Sequence, residues 1–267
     1  MKTKLLVVLA IILFQSCKTQ QLQTKTSLPK VENQLKGELD YTKGGLELIQ
    51  WQKNGDEITL GTIDKNGAIH FNLPEFDIKA LYKNMGNTNF QSQFQMSNCK
   101  GKGAVDFLGQ SLAKTPYDDV YSQLYAPIFI KKYGEFVANL YPISDEKMLI
   151  KKNHNKIIGS NYYWFYIDRS IEYKDKCIKP LANDADLEIN TSADIQFKKG
   201  WNFIKKNIVS VQKDGENNEL SMPKVVQFTI GSPESKEVKW FIEQRMDDKK
   251  IQAAKKEYNS ATPITKE

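Results

Sequence analysis

Two pairs of neighbouring carboxylates are the first residues of this sequence whose types could support chemistry. Asp118 and Asp119 are adjacent, and Asp184 and Asp186 are separated by one residue. Two carboxyl groups can hydrolyse a glycosidic bond when one acts as a general acid and the other as a base or nucleophile. Neighbouring acidic residues in polar loops are usually solvated, and nothing in these segments predicts a raised pKa. We therefore predict that neither pair is catalytic.

The two histidines, His70 and His154, could each provide the base of a Ser–His–Asp triad. His70 stands in an alternating segment opposite the apolar positions, and His154 lies in a polar turn segment. The sequence contains no Gly-x-Ser-x-Gly motif, which would place a serine nucleophile on a sharp turn. These observations predict that the chain is not an enzyme.

The chain has three cysteines, Cys17, Cys99 and Cys177. If Cys17 is modified by lipid, Cys99 and Cys177 are an even remainder, which predicts a disulfide in an oxidising compartment. The alternatives are a metal site or a cysteine–histidine nucleophile pair. Two distant cysteines and two histidines make a poor zinc ligand set, so we predict no metal and no cofactor.

A dense aromatic segment, Tyr162-Tyr163-Trp164-Phe165-Tyr166, offers a different kind of site. In a strand, alternation places Tyr162, Trp164 and Tyr166 on one face and the other two residues on the opposite face. If one face is core, the other could be an exposed platform for a sugar ring or a partner protein. The alternative is a central strand that is buried on both faces. Tyr162, Trp164 and Tyr166 are the candidate ligand-binding residues.

The N-terminal segment predicts secretion and lipid attachment. Lys2 and Lys4 precede an apolar run of ten residues, 5–14, which is too short for a membrane-spanning helix of about twenty residues. A run of this length is typical of a signal peptide. The small residue Ser16 directly before Cys17 resembles a relaxed lipobox. We predict that residues 1–16 are a signal peptide and that acylated Cys17 anchors the chain to a membrane.

Composition limits the remaining partners. The 267 residues are 40% hydrophobic and 26% charged, which is ordinary for a globular protein. The net charge of +6 comes almost entirely from lysine, since Arg169 and Arg245 are the only arginines. Proteins that read nucleic acids usually employ arginine for bidentate contacts. The scattered lysines therefore predict a solvated surface and no nucleic-acid partner.

Alternation with a period of two predicts a mainly β fold, an antiparallel β-sandwich. A four-stranded meander is expected over 35–76, with turns at Asn54-Gly55 and Asp64–Gly67. One short helix is expected at 77–86, followed by a larger β domain on which the meander packs. In this second part, strands are expected at 90–96, 163–177, 225–230 and 238–242, and a further strand is expected to begin at 195. A hairpin is expected at 128–142. Loops are expected at 115–124 and at 101–109, and the latter includes a short strand.

These elements divide the chain into five predicted segments. They are a signal peptide (1–16), a lipidated cysteine with a flexible tether (17–34), a small β unit (35–76), a larger β-sandwich domain (77–245) and a polar tail (246–267), part of which could form a helix.

Three segments carry a resemblance to a known group of proteins. Residues 61–67 with Leu73-Pro74, residues 197–202 and residues 238–240 are similar to Bacteroidetes-type envelope lipoproteins that begin with a transthyretin-like β unit. The position of Cys177 before the Gly-Trp-Asn segment also fits this arrangement. The resemblance covers about residues 35–242. It implies secretion and a β fold, and it implies no activity.

The sequence thus predicts a lipid-anchored protein of the cell envelope that acts as a non-catalytic binding or accessory module. Its expected partners are the membrane, through Cys17, and a glycan or another envelope protein. The residues after Cys17 are not acidic, which favours the periplasmic face of the outer membrane over the cell surface. The alternatives are a structural or assembly lipoprotein without a small ligand and, last, a hydrolase acting on glycan or peptide.

Overall fold

The computed structural model describes residues 33–36, 43–52, 54–82, 90–96, 99–100, 115–149, 157–181, 184–213, 221–245 and 248–261. Within these ranges thirteen strands form one mixed sheet, which confirms the predicted mainly β fold. The predicted signal peptide, Cys17 and the loop at 101–109 lie outside the described residues. No helix in the described ranges is both long and apolar enough to cross a membrane.

The strands and helices have the following bounds. The strands are β1 (Asn33–Lys36), β2 (Leu46–Trp51), β3 (Glu57–Ile63), β4 (Ile69–Phe71), β5 (Ser122–Tyr125), β6 (Ile128–Lys132), β7 (Glu135–Ile143), β8 (Gly159–Ile167), β9 (Ile171–Leu181), β10 (Asp184–Phe197), β11 (Gly200–Lys213), β12 (Ser221–Ile230) and β13 (Lys239–Gln244). The α-helices are α1 (Ile78–Tyr82) and α2 (Asp248–Ala261), and two 3-10 helices span Phe90–Phe94 and Glu146–Leu149.

The sheet runs in the order β4-β3-β2-β6-β7-β8-β11-β12-β10-β9. In addition, β13 pairs with β7, β1 pairs with β13, and β5 pairs with β8. Most pairs are antiparallel, as expected, but β1–β13 and β10–β12 are parallel. The only register pair that joins β7 to β8 in the described structure is Ile143 with Asn161. The sheet is therefore two halves connected at one narrow place.

The two halves pack face to face over an aromatic core. Trp164 of β8 lies edge-on to Phe71 of β4, with ring centroids 5.2 Å apart. Phe203 of β11 stacks on Trp240 of β13 at 6.0 Å. A second core lies on the opposite face of β8–β12, where the 3-10 helix Phe90–Phe94 covers the sheet. β8 and β11 thus lie in a central layer with apolar groups on both sides.

The turns of the N-terminal meander are formed by neighbouring residues, but its strands also pair with strands from distant parts of the chain. Gly55 (φ 89°) and Gly67 (φ 77°) adopt the left-handed conformation that tight hairpins require, as their sequences predict. β2 pairs with β6, so β2–β4 extend the sheet of β6 and β7 edge to edge. Of the predicted first strand of the meander, 35–41, residues 37–41 lie outside the described residues. The described part belongs to β1, and the prediction that it pairs within the meander is corrected, because β1 pairs with β13. The domain boundary at 76/77 stays a prediction.

Two further local predictions are corrected. No strand is present at 90–96, where Phe90–Phe94 form a 3-10 helix whose Phe90 and Phe94 are both buried in the core. The single strand expected over 163–177 is two strands, β8 and β9, separated by a turn at 168–170. The alternating pattern does not reveal this turn, since Ile167 and Ile171 continue it on either side.

The predicted helices are present. Asp77 caps α1 by accepting a hydrogen bond from the backbone N–H of Lys79 at 3.0 Å, which satisfies one of the donors left unpaired at a helix start. α1 is described only as far as Tyr82. The helix considered for the polar tail is α2, and its Ile251 is buried.

Candidate functional site

The aromatic row on β8 is buried rather than exposed. Tyr162, Trp164 and Tyr166 are 4%, 7% and 5% exposed and face the core between the two sheet halves. The ring of Tyr166 stacks on Phe76 at 4.0 Å, and its hydroxyl donates a hydrogen bond to the Phe76 carbonyl at 2.9 Å. The exposed platform predicted from these residues is therefore wrong, and the alternative of a doubly buried central strand is correct. Strand alternation predicted that these three residues share one face of β8, but it could not predict that other parts of the chain cover this face.

The carboxylates singled out in the sequence serve local structure. Asp119 pairs with the Arg169 guanidinium at 2.8 Å, and this hydrogen bond lowers the pKa of Asp119. A general acid needs the opposite shift. Asp118 accepts a hydrogen bond from the Thr115 hydroxyl at 2.6 Å, which fixes the turn that begins there. The side chains of Asp184 and Asp186 lie outside the described residues.

The histidine that is described also belongs to a turn. His70 is exposed and lies 3.1 Å from Asp64, and the hydrogen bond between them lowers the pKa of Asp64. The same carboxylate accepts the backbone N–H groups of Asn66 and Ala68, at 2.8 and 2.9 Å. Asp64 therefore orders a hairpin. His154 lies outside the described residues.

The predicted disulfide is confirmed. Cys99 and Cys177 are joined by an S–S bond of 2.03 Å, and both residues are buried in the second core. The bond ties the segment that follows the 3-10 helix Phe90–Phe94 to β9. The sulfur atoms of Cys99 and Cys177 therefore form a structural disulfide.

The strongest candidate site is a pocket at the seam between the two sheet halves. On this edge of β8, the pairing with β7 stops at Asn161, and the pairing with β5 resumes at Trp164. Tyr162 and Tyr163, in between, have no strand partner on that edge among the described strands. A cavity of about 410 Å³ opens here, and we call it the seam pocket.

The walls of the seam pocket are mostly apolar. The apolar part comes from the end of β5, the start of β6, the end of β7 and one residue of β12: Leu124, Pro127, Ile128, Pro142, Ile143 and Phe228. Its polar groups are few and come from Gln93 and Gln95, Tyr141, Asn161 and Lys206. An apolar cavity with a small number of converging polar groups is the usual form of a small-molecule site.

Among the described residues that line the seam pocket, Lys206 is the one that carries a charge. It stands on β11 opposite Asn161 of β8 and Phe228 of β12, and both neighbours also line the pocket. Burial lowers the pKa of Lys206, because an apolar environment disfavours the ammonium ion. The ammonium of the preceding Lys205 pairs with Glu237 at 2.6 Å.

A second buried polar group lies on the same wall. Tyr163 lines the seam pocket, and its hydroxyl has no hydrogen-bond partner among the described residues. Burial raises the pKa of Tyr163, so the phenol is neutral. An unpaired buried hydroxyl costs roughly 1–3 kcal/mol, and a bound polar group or water would remove this cost.

The outer face of the first sheet half carries an aromatic cluster that the sequence analysis missed. Trp51, Phe129 and Phe136 come from the neighbouring strands β2, β6 and β7, with ring centroids 4.5–6.4 Å apart. Trp51 is 40% exposed. The signal in the sequence was an aromatic residue at an outward position of each strand, but strand neighbours cannot be read from one sequence.

Among the described residues, no three of the histidines, cysteines and acidic residues come close enough together to hold a metal ion. Comparisons with protein-family models, with curated proteins and with solved structures found no match to this chain. The resemblance to envelope lipoproteins therefore stays a prediction, and the function has to be argued from the seam pocket itself.

Proposed function

We propose that this protein is a lipid-anchored, non-catalytic binding protein of the cell envelope and that the seam pocket is its ligand site. The observation that carries the proposal is the cavity of about 410 Å³ where the two sheet halves meet. Ligand pockets typically measure about 300–1,000 Å³ and have mainly apolar walls, so a compact, largely apolar molecule suits this one.

The surroundings of the pocket support binding rather than catalysis. The described residues that line it include neither a carboxylate nor a histidine, cysteine or serine. Of the groups used in general acid–base or nucleophilic catalysis, the described lining therefore offers lysine and tyrosine alone, without a carboxylate or histidine partner. A purely structural lipoprotein remains the alternative, and it would give the pocket no occupant.

Filling the mouth of the seam pocket should abolish binding. Ala126 is exposed at the rim, between β5 and β6, so a large side chain there can cover the opening without entering either core. We expect the neutral fluorescent probe N-phenyl-1-naphthylamine to bind the unchanged protein saturably and the Ala126→Trp variant at least about tenfold more weakly, a loss of about 1.4 kcal/mol. Fluorescence titration of the purified proteins measures both affinities.

Ala126→Ser is the matched control, because it changes the same position without adding bulk. It should bind the probe as the unchanged protein does. Equal probe affinity in the Ala126→Trp and Ala126→Ser variants, or no saturable binding at all, would contradict the seam pocket as the ligand site.

The anchor is part of the proposal and has its own test. Replacing Cys17 with alanine removes the thiol that the lipid would modify, so the protein should move from the membrane fraction to the soluble fraction and lose incorporation of a labelled fatty acid. Membrane association should fall almost completely, because the strong multi-chain anchor would be lost as a whole and no acyl chain would remain at this position. Unchanged labelling in Cys17→Ala would show that Cys17 is not the lipidated residue.

The glycan or envelope-protein partner stays a prediction. It was argued from Tyr162, Trp164 and Tyr166 as an exposed row; all three are buried, and of these three only Tyr162 is among the described residues that line the seam pocket.

A further inference from the structure

We propose that the ligand of the seam pocket is an uncharged, largely apolar molecule with a carbonyl oxygen, and that this oxygen accepts a hydrogen bond from the hydroxyl of Tyr163. This inference rests on the proposed function, because it names the chemical class of ligand for the same site. The apolar body would fill the cavity, and the carbonyl group would lie against β8.

Tyr163 is a buried polar residue in the wall of the cavity. It lines the seam pocket and is 6% exposed. Its hydroxyl has no hydrogen-bond partner among the described residues. Buried polar side chains are usually hydrogen-bonded, so this hydroxyl points to a ligand group that completes its bonding.

The strand pairing of β8 puts Tyr163 at the place where the cavity opens. One edge of β8 pairs with β7 at Asn161 and with β5 from Trp164 onward, and Tyr163 lies between these two pairings. On the other edge of β8, Tyr163 pairs with Ile204 of β11. The residue is therefore held by β11 on one side and borders the gap on the other.

Two further phenols of the lining already have partners. The Tyr162 hydroxyl donates a hydrogen bond to Glu237 at 3.4 Å. The Tyr141 hydroxyl donates one to Glu243 at 3.2 Å. The hydroxyl of Tyr163 differs from both, because its bonding is incomplete within the described structure.

A fourth phenol of the lining, Tyr125, is also unpaired among the described residues. Its ring packs in the core between the two sheet halves, 4.8 Å from the ring of Trp201. Tyr163 belongs to the second core, on the opposite face of the sheet. Single Tyr→Phe substitutions, which keep the ring and remove only the oxygen, can therefore distinguish the two hydroxyls.

A carbonyl oxygen suits the chemistry of this wall. Burial raises the pKa of Tyr163, so the phenol is neutral and can donate its O–H. A ketone or ester can accept this bond, and it loses far less hydration among mainly apolar walls than an ionised carboxylate does. The same walls favour a ligand whose remaining atoms are hydrocarbon or aromatic.

The test uses three probes of nearly the same shape, all substituted at the same ring position: acetylnaphthalene, isopropenylnaphthalene and naphthoate. The second carries a CH₂ group in place of the ketone oxygen, and the third is the carboxylate. Each is titrated against the complex of the purified protein with N-phenyl-1-naphthylamine, and displacement of the dye gives its affinity. We expect the ketone to bind the unchanged protein at least about tenfold more tightly than naphthoate, because an ionised group is costly to bury. This comparison requires no variant.

Tyr163→Phe then assigns the hydrogen bond. It should weaken the binding of acetylnaphthalene about fivefold, which equals about 1 kcal/mol for a neutral hydrogen bond, and leave that of isopropenylnaphthalene unchanged. Because the hydroxyl has no partner among the described residues, this variant should keep the Tm of the unchanged protein.

Tyr166→Phe is the matched control. Tyr166 lies on the same strand but is not among the described residues that line the pocket, and its hydroxyl donates to the Phe76 carbonyl at 2.9 Å. The control variant should bind acetylnaphthalene as the unchanged protein does.

The outcomes separate this inference from the proposed function. If Tyr163→Phe binds the ketone normally, or loses affinity equally for the ketone and the hydrocarbon, the hydrogen bond from Tyr163 is overturned while the dye still reports a binding site. A selective loss in Tyr125→Phe instead would also overturn the role of Tyr163. Tighter binding of naphthoate than of acetylnaphthalene would overturn the uncharged ligand. Absence of dye binding would overturn the proposed function, and this inference with it.

Discussion

Replacing Trp240 with alanine should lower the free energy of unfolding by about 3–5 kcal/mol. Trp240 lies on β13, is 0% exposed, and contacts Phe71 at 5.4 Å and Phe203 at 6.0 Å. It therefore joins the two sheet halves, and its removal leaves a cavity that neither half can fill alone. Urea denaturation followed by circular dichroism measures the loss.

Two variants give this experiment its controls. The indole N–H of Trp240 has no hydrogen-bond partner among the described residues, so Trp240→Phe should cost clearly less than Trp240→Ala. Trp51→Ala removes the same side chain from the 40% exposed outer aromatic cluster and should cost about 1 kcal/mol or less. Comparable losses for Trp240→Ala and Trp51→Ala would contradict the described core.

Removing the disulfide should have an effect of similar size. Cys99 and Cys177 are 78 residues apart in the sequence, and a cross-link over such a loop restricts the unfolded chain. The chain-entropy model gives roughly 4–5 kcal/mol for a loop of this length. The double variant Cys99→Ala/Cys177→Ala should therefore unfold about 8–20 °C lower, at the 2–4 °C per kcal/mol typical of a domain of this size. Differential scanning calorimetry measures the shift.

The reductant response is the control for this second prediction. A reducing agent should lower the Tm of the unchanged protein toward that of the double variant, and it should leave the double variant where it is. If the protein without substitutions has the same Tm with and without reductant, the disulfide contributes nothing to its stability.

The parts of this fold that the sequence predicted are those decided by neighbouring residues. Asn54-Gly55 forms a hairpin turn because glycine adopts positive φ without a steric penalty. In the β6–β7 hairpin Gly134 adopts positive φ for the same reason, and Tyr133 before it has positive φ as well. The pairing of β1 with β13 depends on residues about two hundred positions apart, and no local signal marks which strands meet.

The candidate site was beyond prediction for a related physical reason. The seam pocket exists where two strands stop short of each other along the edge of β8, so it is created by the absence of pairing rather than by a motif. Its polar residues come from distant parts of the chain, among them Gln93, Asn161 and Lys206. Alternation does predict that Lys205 and Lys206 point to opposite faces of a strand, but only the tertiary fold decides which one meets the cavity.

The position of β9 at one end of the sheet affects how copies of the protein meet each other. A strand that pairs on one side only presents open backbone groups, which in many proteins invite aggregation. Here the strand carries Lys174, Lys176 and Lys179, followed by Pro180. The Lys100 backbone N–H already donates to the Ile178 carbonyl of this strand at 2.7 Å, and Pro180 has no N–H to extend a ladder. Crowded copies should therefore stay separate at this edge instead of growing into a continuous β assembly.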